Sequence, residues 1–249
     1  MKRTVFITGA TSGIGEAVAR QLAELPYRLI LCGRNRKKLD ELQISLGKIT
    51  EVTTLCFDVA DKKSVFSGVE SLSADWKNID VLINNAGNAH GLATFADADL
   101  TDLEAMIDIN VKGLIYVTKA VLPQMNATKN GHIVNLSSIA GKQTYENGVV
   151  YCASKKAVEA LSEGLRQELV GQGIKVSNVA PGAVNTNFSA VRFKGDTAKA
   201  DAVYAGFEPL LAEDIADVIT YILQAPPHVN VADVLILPKA QASGTKIVR

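Results

Sequence analysis

Thr8-Gly9-Ala10-Thr11-Ser12-Gly13-Ile14-Gly15 follows directly on a strand-like run at 4–8 and opens a helix-period segment in which Ile14, Val18 and Leu22 recur every four residues. A strand that ends in a glycine-rich turn and passes at once into a helix is built to hold a pyrophosphate. The glycines allow a tight turn and a close backbone approach, while the helix N-terminus offers N–H donors and a favourable dipole. Glycines alone would signal only a helix-capping turn; strand before and helix after make this a dinucleotide loop. Gly9 and Gly13 are separated by three residues, where the usual fingerprint has one.

Outward from this loop, β-branched runs at 28–32, 52–57, 81–83, 132–136, 175–179 and 234–237 alternate with helix-length amphipathic segments. The first helix is read at 13–25; another, after Ser154, carries Ala157, Leu161, Leu165 and Leu169. The alternation predicts crossover units laying down a parallel sheet, an α/β doubly wound (Rossmann) fold with helices on both faces. No repeat, low-complexity tract or Pro/Ser linker divides the chain, so a single domain over 1–249 is expected. Between Pro181 and Leu211 the residues Gly182, Asn185, Asn187, Gly195 and Asp196 break any period, which predicts a mobile substrate lid at about 183–211.

The 249 residues carry 26 basic and 26 acidic side chains, a balance that argues against a nucleic-acid partner, since phosphate tracking needs a cationic excess. Hydrophobic residues at 47% suffice for one sizeable core. No apolar run approaches the roughly 18 residues of a membrane span. Met1-Lys2-Arg3 and the run behind it resemble the start of a signal peptide, but Thr8, Gly9, Thr11 and Ser12 interrupt it too early. Cys32, Cys56 and Cys152 are odd in number and lack metal spacing, which fits a reducing, cytoplasmic setting. His90, His132 and His228 are scattered, so no metal is expected.

Chemistry concentrates in the middle of the chain. Tyr151 and Lys155 stand four apart on a predicted helix and share a face; such a pair is ordinarily surface decoration, but here the ammonium is expected to lower the tyrosine pKa from about 10 and make the phenol a usable acid and base. Ser138, thirteen residues before Tyr151 at the end of the fifth strand, can donate to a substrate oxygen. Lys155 can in addition hold a ribose. Cys152 adjoins Tyr151, but no histidine supports it as a nucleophile, so a packed thiol is expected. After the second strand comes Gly33-Arg34-Asn35-Arg36-Lys37-Lys38, with no carboxylate for a ribose 2′-hydroxyl. The fork of Arg34 suits a 2′-phosphate and the adenine face, which points to NADP; a solvated basic helix start is the alternative, disfavoured by the helix dipole.

Together with Asn84-Asn85-Ala86-Gly87, Asn110 and Pro181-Gly182, these motifs run in order through essentially the whole chain, which resembles the short-chain dehydrogenase/reductase family. The resemblance implies that Gly9, Thr11, Ser12, Gly13, Ile14 and Gly15 face the phosphates and that Asp58 and Val59 flank the adenine. It further implies that Asn85, Ala86 and Gly87 line the ribose region and that Pro181, Gly182 and Thr186 cover the nicotinamide. Asn110, Ser138, Tyr151 and Lys155 become the catalytic set, with Asn110 organising a water that relays protons to Lys155. Asp58 as a helix cap, the Asn84-Asn85 pair as a turn and Pro181-Gly182 as a strand exit are the plainer alternatives.

The C-terminal third, with Val191-Arg192-Phe193-Lys194-Gly195-Asp196, Ala212-Glu213-Asp214-Ile215-Ala216, Pro227-His228-Val229-Asn230-Val231 and Leu235-Ile236-Leu237-Pro238, resembles the NADP-dependent 3-hydroxy acid dehydrogenases. That subgroup includes serine and allo-threonine dehydrogenases and malonic semialdehyde reductases. Hydride exchange between NADP(H) and a small hydroxy acid is implied, in a homotetramer; the 239–249 tail, which lacks the apolar or charged pattern of an address, is expected to pack on a neighbouring subunit. A carboxylate substrate needs a further cation, and Arg192 is preferred over Lys194 because its fork can grip both oxygens as the lid closes. An ion pair of Arg192 within the lid or between subunits is the other reading. A broad carbonyl or 3-oxoacyl reductase and a catalytically silent NADP-sensing module remain the functional alternatives; the latter has no need to keep Ser138, Tyr151 and Lys155 together.

Overall fold

Side chains alternate across a strand, so Val5 and Ile7 of the first strand face one side of the sheet and Phe6 the other. All three are fully buried, which requires helices on both faces. The computed structural model describes residues 2–125 and 130–249, leaving Met1 of the expected domain outside it. Among the described residues the strands are β1 (Arg3–Thr8), β2 (Tyr27–Gly33), β3 (Val52–Cys56), β4 (Val81–Asn84), β5 (His132–Leu136), β6 (Lys175–Pro181) and β7 (Asp233–Ile236). They form one parallel sheet in the order β3-β2-β1-β4-β5-β6-β7. The order reverses direction between β1 and β4.

On the Val5 face lie α1 (Gly13–Ala23), α2 (Arg36–Leu46) and α10 (Ala212–Gln224), through Val18 and Leu22, Leu39, and Ile215, Ile219 and Ile222. On the Phe6 face α3 (Lys62–Glu70), α5 (Leu114–Met125) and α7 (Val149–Leu169) contribute Val65, Val117, Val121 and Leu169. Burial of each such side chain contributes about 1.5–3 kcal/mol. The Asn35 side chain caps α2 by accepting from the Lys38 N–H, and that of Asp61 caps α3. Before α5, α4 (Leu100–Ile107) runs into a π-helical turn, Asp108–Gly113. No helix of the described residues is long and apolar enough to cross a membrane.

Element boundaries move by one or two residues from the sequence reading. The third strand stops at Cys56 because its ladder partner Gly33 ends β2, and the sixth continues to Pro181, which pairs with Ile236. The first helix ends at Ala23, where the chain turns into β2 at Tyr27. The 183–211 stretch, read as aperiodic, contains α8 (Phe188–Arg192) and α9 (Thr197–Ala202). Five or six residues are too few turns for a 3.6-residue period to show. The remaining helix, α6 (Ile139–Lys142), follows β5.

Residues 239–249 fold back on their own chain: Gln241 and Ile247 form an antiparallel bridge, and Gln241 Oε1 accepts from the Ala183 N–H at 2.8 Å.

Candidate active site

Because the sheet order reverses between β1 and β4, the loops leaving these strands part and leave a crevice at their carboxyl ends, the place where open α/β sheets bind ligands. The cleft has a volume of about 1330 Å³. It is lined by Gly9, Thr11, Ser12, Gly13, Ile14, Arg34, Asp58, Val59, Asn85, Ala86, Gly87, Ser138, Tyr151, Lys155, Pro181, Gly182, Thr186 and Arg192, so the residues singled out in the sequence converge on one space. Two do not line it: Gly15 lies beneath the loop and Asn110 behind Lys155.

The loop depends on its glycines. Gly9 has φ +64, a left-handed conformation that side chains disfavour, and a Cβ at Gly15 would stand 2.3 Å from the Gly9 carbonyl oxygen. Asn85 fastens the turn from across the crevice, donating from Nδ2 to the carbonyls of Thr8 (2.9 Å) and Gly9 (3.2 Å). Thr8 Oγ1 in turn accepts from the N–H groups of Asn85 and Ala86, both at 3.0 Å. A close-packed backbone cradle at the start of a helix fits a pyrophosphate.

At the end of the cleft beyond β2, Arg34 Nη1 lies 3.2 Å from Asp58 Oδ2, in a pair whose side chains are 65% and 37% exposed. Exposed ion pairs contribute at most about 1 kcal/mol, less than the roughly 1.5–3 kcal/mol of a charge-assisted bond to phosphate. The pair therefore holds Arg34 weakly, and its guanidinium stays available to another anion at this end of the cleft. Asp58 also accepts from the Ala60 N–H at 2.9 Å, so it makes the local turn as well as facing the cleft. Arg36 and Lys37 line the same end.

At the other end Tyr151 and Lys155 share a face of α7, both buried. Lys155 Nζ donates to the Leu136 carbonyl at 2.9 Å and lies 6.0 Å from the Tyr151 ring centre. Burial lowers the Lys155 pKa to about 8. The same burial raises that of Tyr151, and neighbouring Tyr145 adds to the rise; Ser138, which hydrogen-bonds the phenol, and Arg192 oppose it. This runs against the expected depression: Lys155, 6.0 Å from the ring centre, is not among the groups that lower the Tyr151 pKa, and burial outweighs those that do. Ser138 Oγ meanwhile caps α6, accepting from the Ala140 N–H at 3.1 Å.

Asn110 sits in the π-turn with both ends of its carboxamide hydrogen-bonded. Oδ1 accepts from the Asn88 N–H at 2.8 Å, and Nδ2 donates to the Asn88 carbonyl (2.8 Å) and Ser154 Oγ (3.0 Å). A Cβ on Gly87 would come within 3.1 Å of Asn110 Oδ1 and 3.2 Å of Lys155 Nζ, so the two side chains flank one spot at the cleft floor. A π-turn widens the backbone ladder, and such turns favour functional positions.

Arg192 ends α8 and makes no ion pair within the lid among the described residues. Its Nε donates to the Gly91 carbonyl at 3.0 Å, and its guanidinium carbon lies 5.7 Å from the Tyr151 ring centre. Lys194 is turned away, pairing with Asp102 Oδ2 at 2.8 Å. Cys152 is buried beside Tyr151 as a packed thiol.

Residues 3–197 match the family described as short chain dehydrogenase. This chain belongs to that family. A sulfoacetaldehyde reductase of Chromohalobacter salexigens is 44% identical over 243 residues, covering 97% of this chain and 96% of the relative. An NADP-dependent 3-hydroxy acid dehydrogenase of Salmonella typhi is 42% identical over 239 residues, 96% of each. Among solved structures, the closed form of serine dehydrogenase complexed with NADP+ superposes with a TM-score of 0.93 at 39% identity, covering 99% of both chains.

Several cleft residues of this short-chain dehydrogenase carry no sequence signal. Tyr145 presents a second phenol to the cleft; burial pushes its pKa up, and adjacent Arg192 opposes this. Asn88 carries both hydrogen-bonding partners of the Asn110 side chain's backbone contacts, and Gln241 and Ile247 arrive from the tail. Only Asn88, which adjoins the Asn84-Asn85-Ala86-Gly87 motif, could have been suspected from its place in the chain.

Proposed function

We propose that this chain is an NADP-dependent dehydrogenase that interconverts a small hydroxy acid and its oxo acid. The observation that carries the reading is the placement of Arg192, a fixed cation beside the Tyr151 phenol in a cleft that also holds Ser138 and Lys155. The 9–15 loop and Arg34 are suited to the phosphates of NADP, residues 85–87 and Lys155 to a ribose, and residues 181–186 to the nicotinamide. When bound, NADP supplies or accepts the hydride at the substrate carbon.

In the direction of oxo-acid reduction, Tyr151 donates its proton to the oxo oxygen while Ser138 donates a hydrogen bond to the same atom. The phenolate left behind sits in a buried site, where the hydrogen bond from Ser138 and the charge of Arg192 oppose the cost of desolvation, while the Lys155 ammonium, charged below its pKa of about 8, stands 6.0 Å from the ring as the source of the replacing proton. Asn110, behind Lys155, organises the route by which the proton is replaced. Arg192 grips the substrate carboxylate, and residues 183–211 form the lid that carries it. The joint presence of Ser138, Tyr151 and Lys155 supports an enzyme over a silent cofactor sensor. Assembly as a homotetramer in the cytoplasm completes the reading, supported by exposed Phe95, Leu100 and Ile115 and by free cysteines.

Arg192→Met tests the substrate class. Loss of a charge-assisted carboxylate contact is expected to raise KM for a 3-hydroxy acid roughly 10- to 150-fold, with little change for a neutral alcohol of similar size. Parallel losses on both substrates would assign Arg192 to structure instead.

A further inference from the structure

The segment after β7 closes on the body as a hairpin strap. Besides the Gln241–Ile247 bridge, the Ala242 N–H donates to the Lys246 carbonyl and the Val248 N–H to the Ala240 carbonyl, each at 2.9 Å. One side of the strap is tied to the body and to the start of the 183–211 segment. There the Gly244 N–H donates to Gln143 Oε1 at 2.9 Å, and Gln241 accepts from Ala183.

From the hairpin Arg249 reaches over the end of α9. Its guanidinium donates to the carbonyls of Ala202 and Val203, each at 3.4 Å, and to that of Ala205, and its carbon lies 5.6 Å from the Phe207 ring centre. These carbonyls belong to the end of a helix and the turn behind it, where intrahelical donors run out and partial negative charge gathers. Gly206, with φ +83, lets the strap approach: a Cβ there would stand 3.1 Å from Arg249 Cβ.

The grip is relayed to the cleft by direct contacts. Tyr204, in the turn held by Arg249, donates its hydroxyl to the Val184 carbonyl at 2.7 Å and bonds Ser189 Oγ of α8, also at 2.7 Å. Arg192 is the last residue of that same α8. On the far side the segment is held by a reciprocal backbone contact, the Gly91 N–H to the Arg192 carbonyl at 2.8 Å, and by the Lys194–Asp102 pair. Lys194 is 60% exposed, so that ion pair holds weakly.

We propose that Arg249 is a positioning residue for the reaction: by capping α9 it holds the 183–211 lid in the arrangement that presents Arg192 to the substrate. The proposal rests on reading that segment as the lid and Arg192 as its carboxylate-gripping cation. The test compares Arg249→Ala and Arg249→Lys in the full chain by three measurements. These are steady-state kinetics with a 3-hydroxy acid, NADPH affinity by fluorescence titration, and trypsin cleavage after Lys194 and Lys199 followed by mass spectrometry. For Arg249→Ala we expect KM to rise about 10-fold and lid cleavage to accelerate by a similar factor, the scale of one or two lost hydrogen bonds. NADPH affinity and Tm stay nearly unchanged, and Arg249→Lys, with a charge but no fork, falls between. Unchanged KM and cleavage overturn the proposal, as does a fall in Tm with a parallel loss of NADPH binding. Lid cleavage needs no substrate: if it accelerates in Arg249→Ala while Arg192→Met shows no selectivity for acids, the strap stands and the substrate reading falls.

Discussion

Tyr151 is buried where a phenolate is costly, yet the proposed reaction asks it to give up and regain a proton. Burial raises its pKa, while Ser138 and Arg192 favour the ionised form. Removing the hydroxyl removes the proton donor and little else, because the ring still packs 5.8 Å from that of Phe188. Tyr151→Phe is expected to keep NADPH affinity and lose roughly 10²- to 10⁴-fold in turnover, the usual contribution of a positioned acid or base. Turnover near the parent level in a single-turnover assay would remove Tyr151 from the chemistry. Lys155→Met in the same assay should lower turnover and weaken NADPH binding together, since one ammonium is assigned both tasks.

At the scale of elements, the β1–α1 unit shows how tightly a turn can constrain its residues. A Cβ on Gly15 would lie 2.3 Å from the Gly9 carbonyl and 2.5 Å from Asn85 Nδ2, both parts of the cradle, so the loop itself has to move. Gly15→Ala is therefore expected to cost about 1–3 kcal/mol, the range for overpacking, and to weaken NADPH binding. Gly164, within α7, is the internal comparison: nothing lies within 4 Å of its Cβ position. Gly164→Ala should stabilise by roughly 0.5–1 kcal/mol through helix propensity. Denaturant midpoints and NADPH titrations of the two variants check both signs; equal effects would mean that the close approach at Gly15 carries no cost.

For the whole molecule, acid stability is tied to His132, which joins β5 to β6 through a 2.8 Å contact between Nε2 and Ser177 Oγ. Burial, with Lys175 and Arg3 nearby, lowers its pKa to about 3 from 6.5. Between these values the unfolded chain binds a proton that the folded chain does not, so stability rises with pH across the window and is lost as pH falls through it. The slope from this residue approaches about 1.4 kcal/mol per pH unit. His132→Gln, which cannot protonate, should flatten the dependence of urea stability between pH 6 and 4. An unchanged slope would place the acid sensitivity elsewhere.

Local patterns were enough to place all seven strands, the glycine loop and its helix, whereas the Ser138, Tyr151 and Lys155 set stood out only through the family resemblance. Strand alternation, helix spacing and the β1-loop-α1 order are relations between near neighbours in the chain. The two short helices of 183–211 were invisible because a single turn has no period. Arg192 could be suspected of meeting a carboxylate, but its bond to Gly91, 101 residues away, exists only once β4 and β6 bring their loops together. The rise in the Tyr151 pKa was missed for a related reason: the four-residue spacing to Lys155 can be read along the chain, whereas desolvation sums over groups scattered through it. The sequence by itself thus determined the fold, the glycine loop at the start of the first helix and which residues are proposed to handle the proton. Only the tertiary structure decided where Arg192 and the 239–249 tail lie and how burial shifts the protons, because these depend on packing between segments remote in sequence.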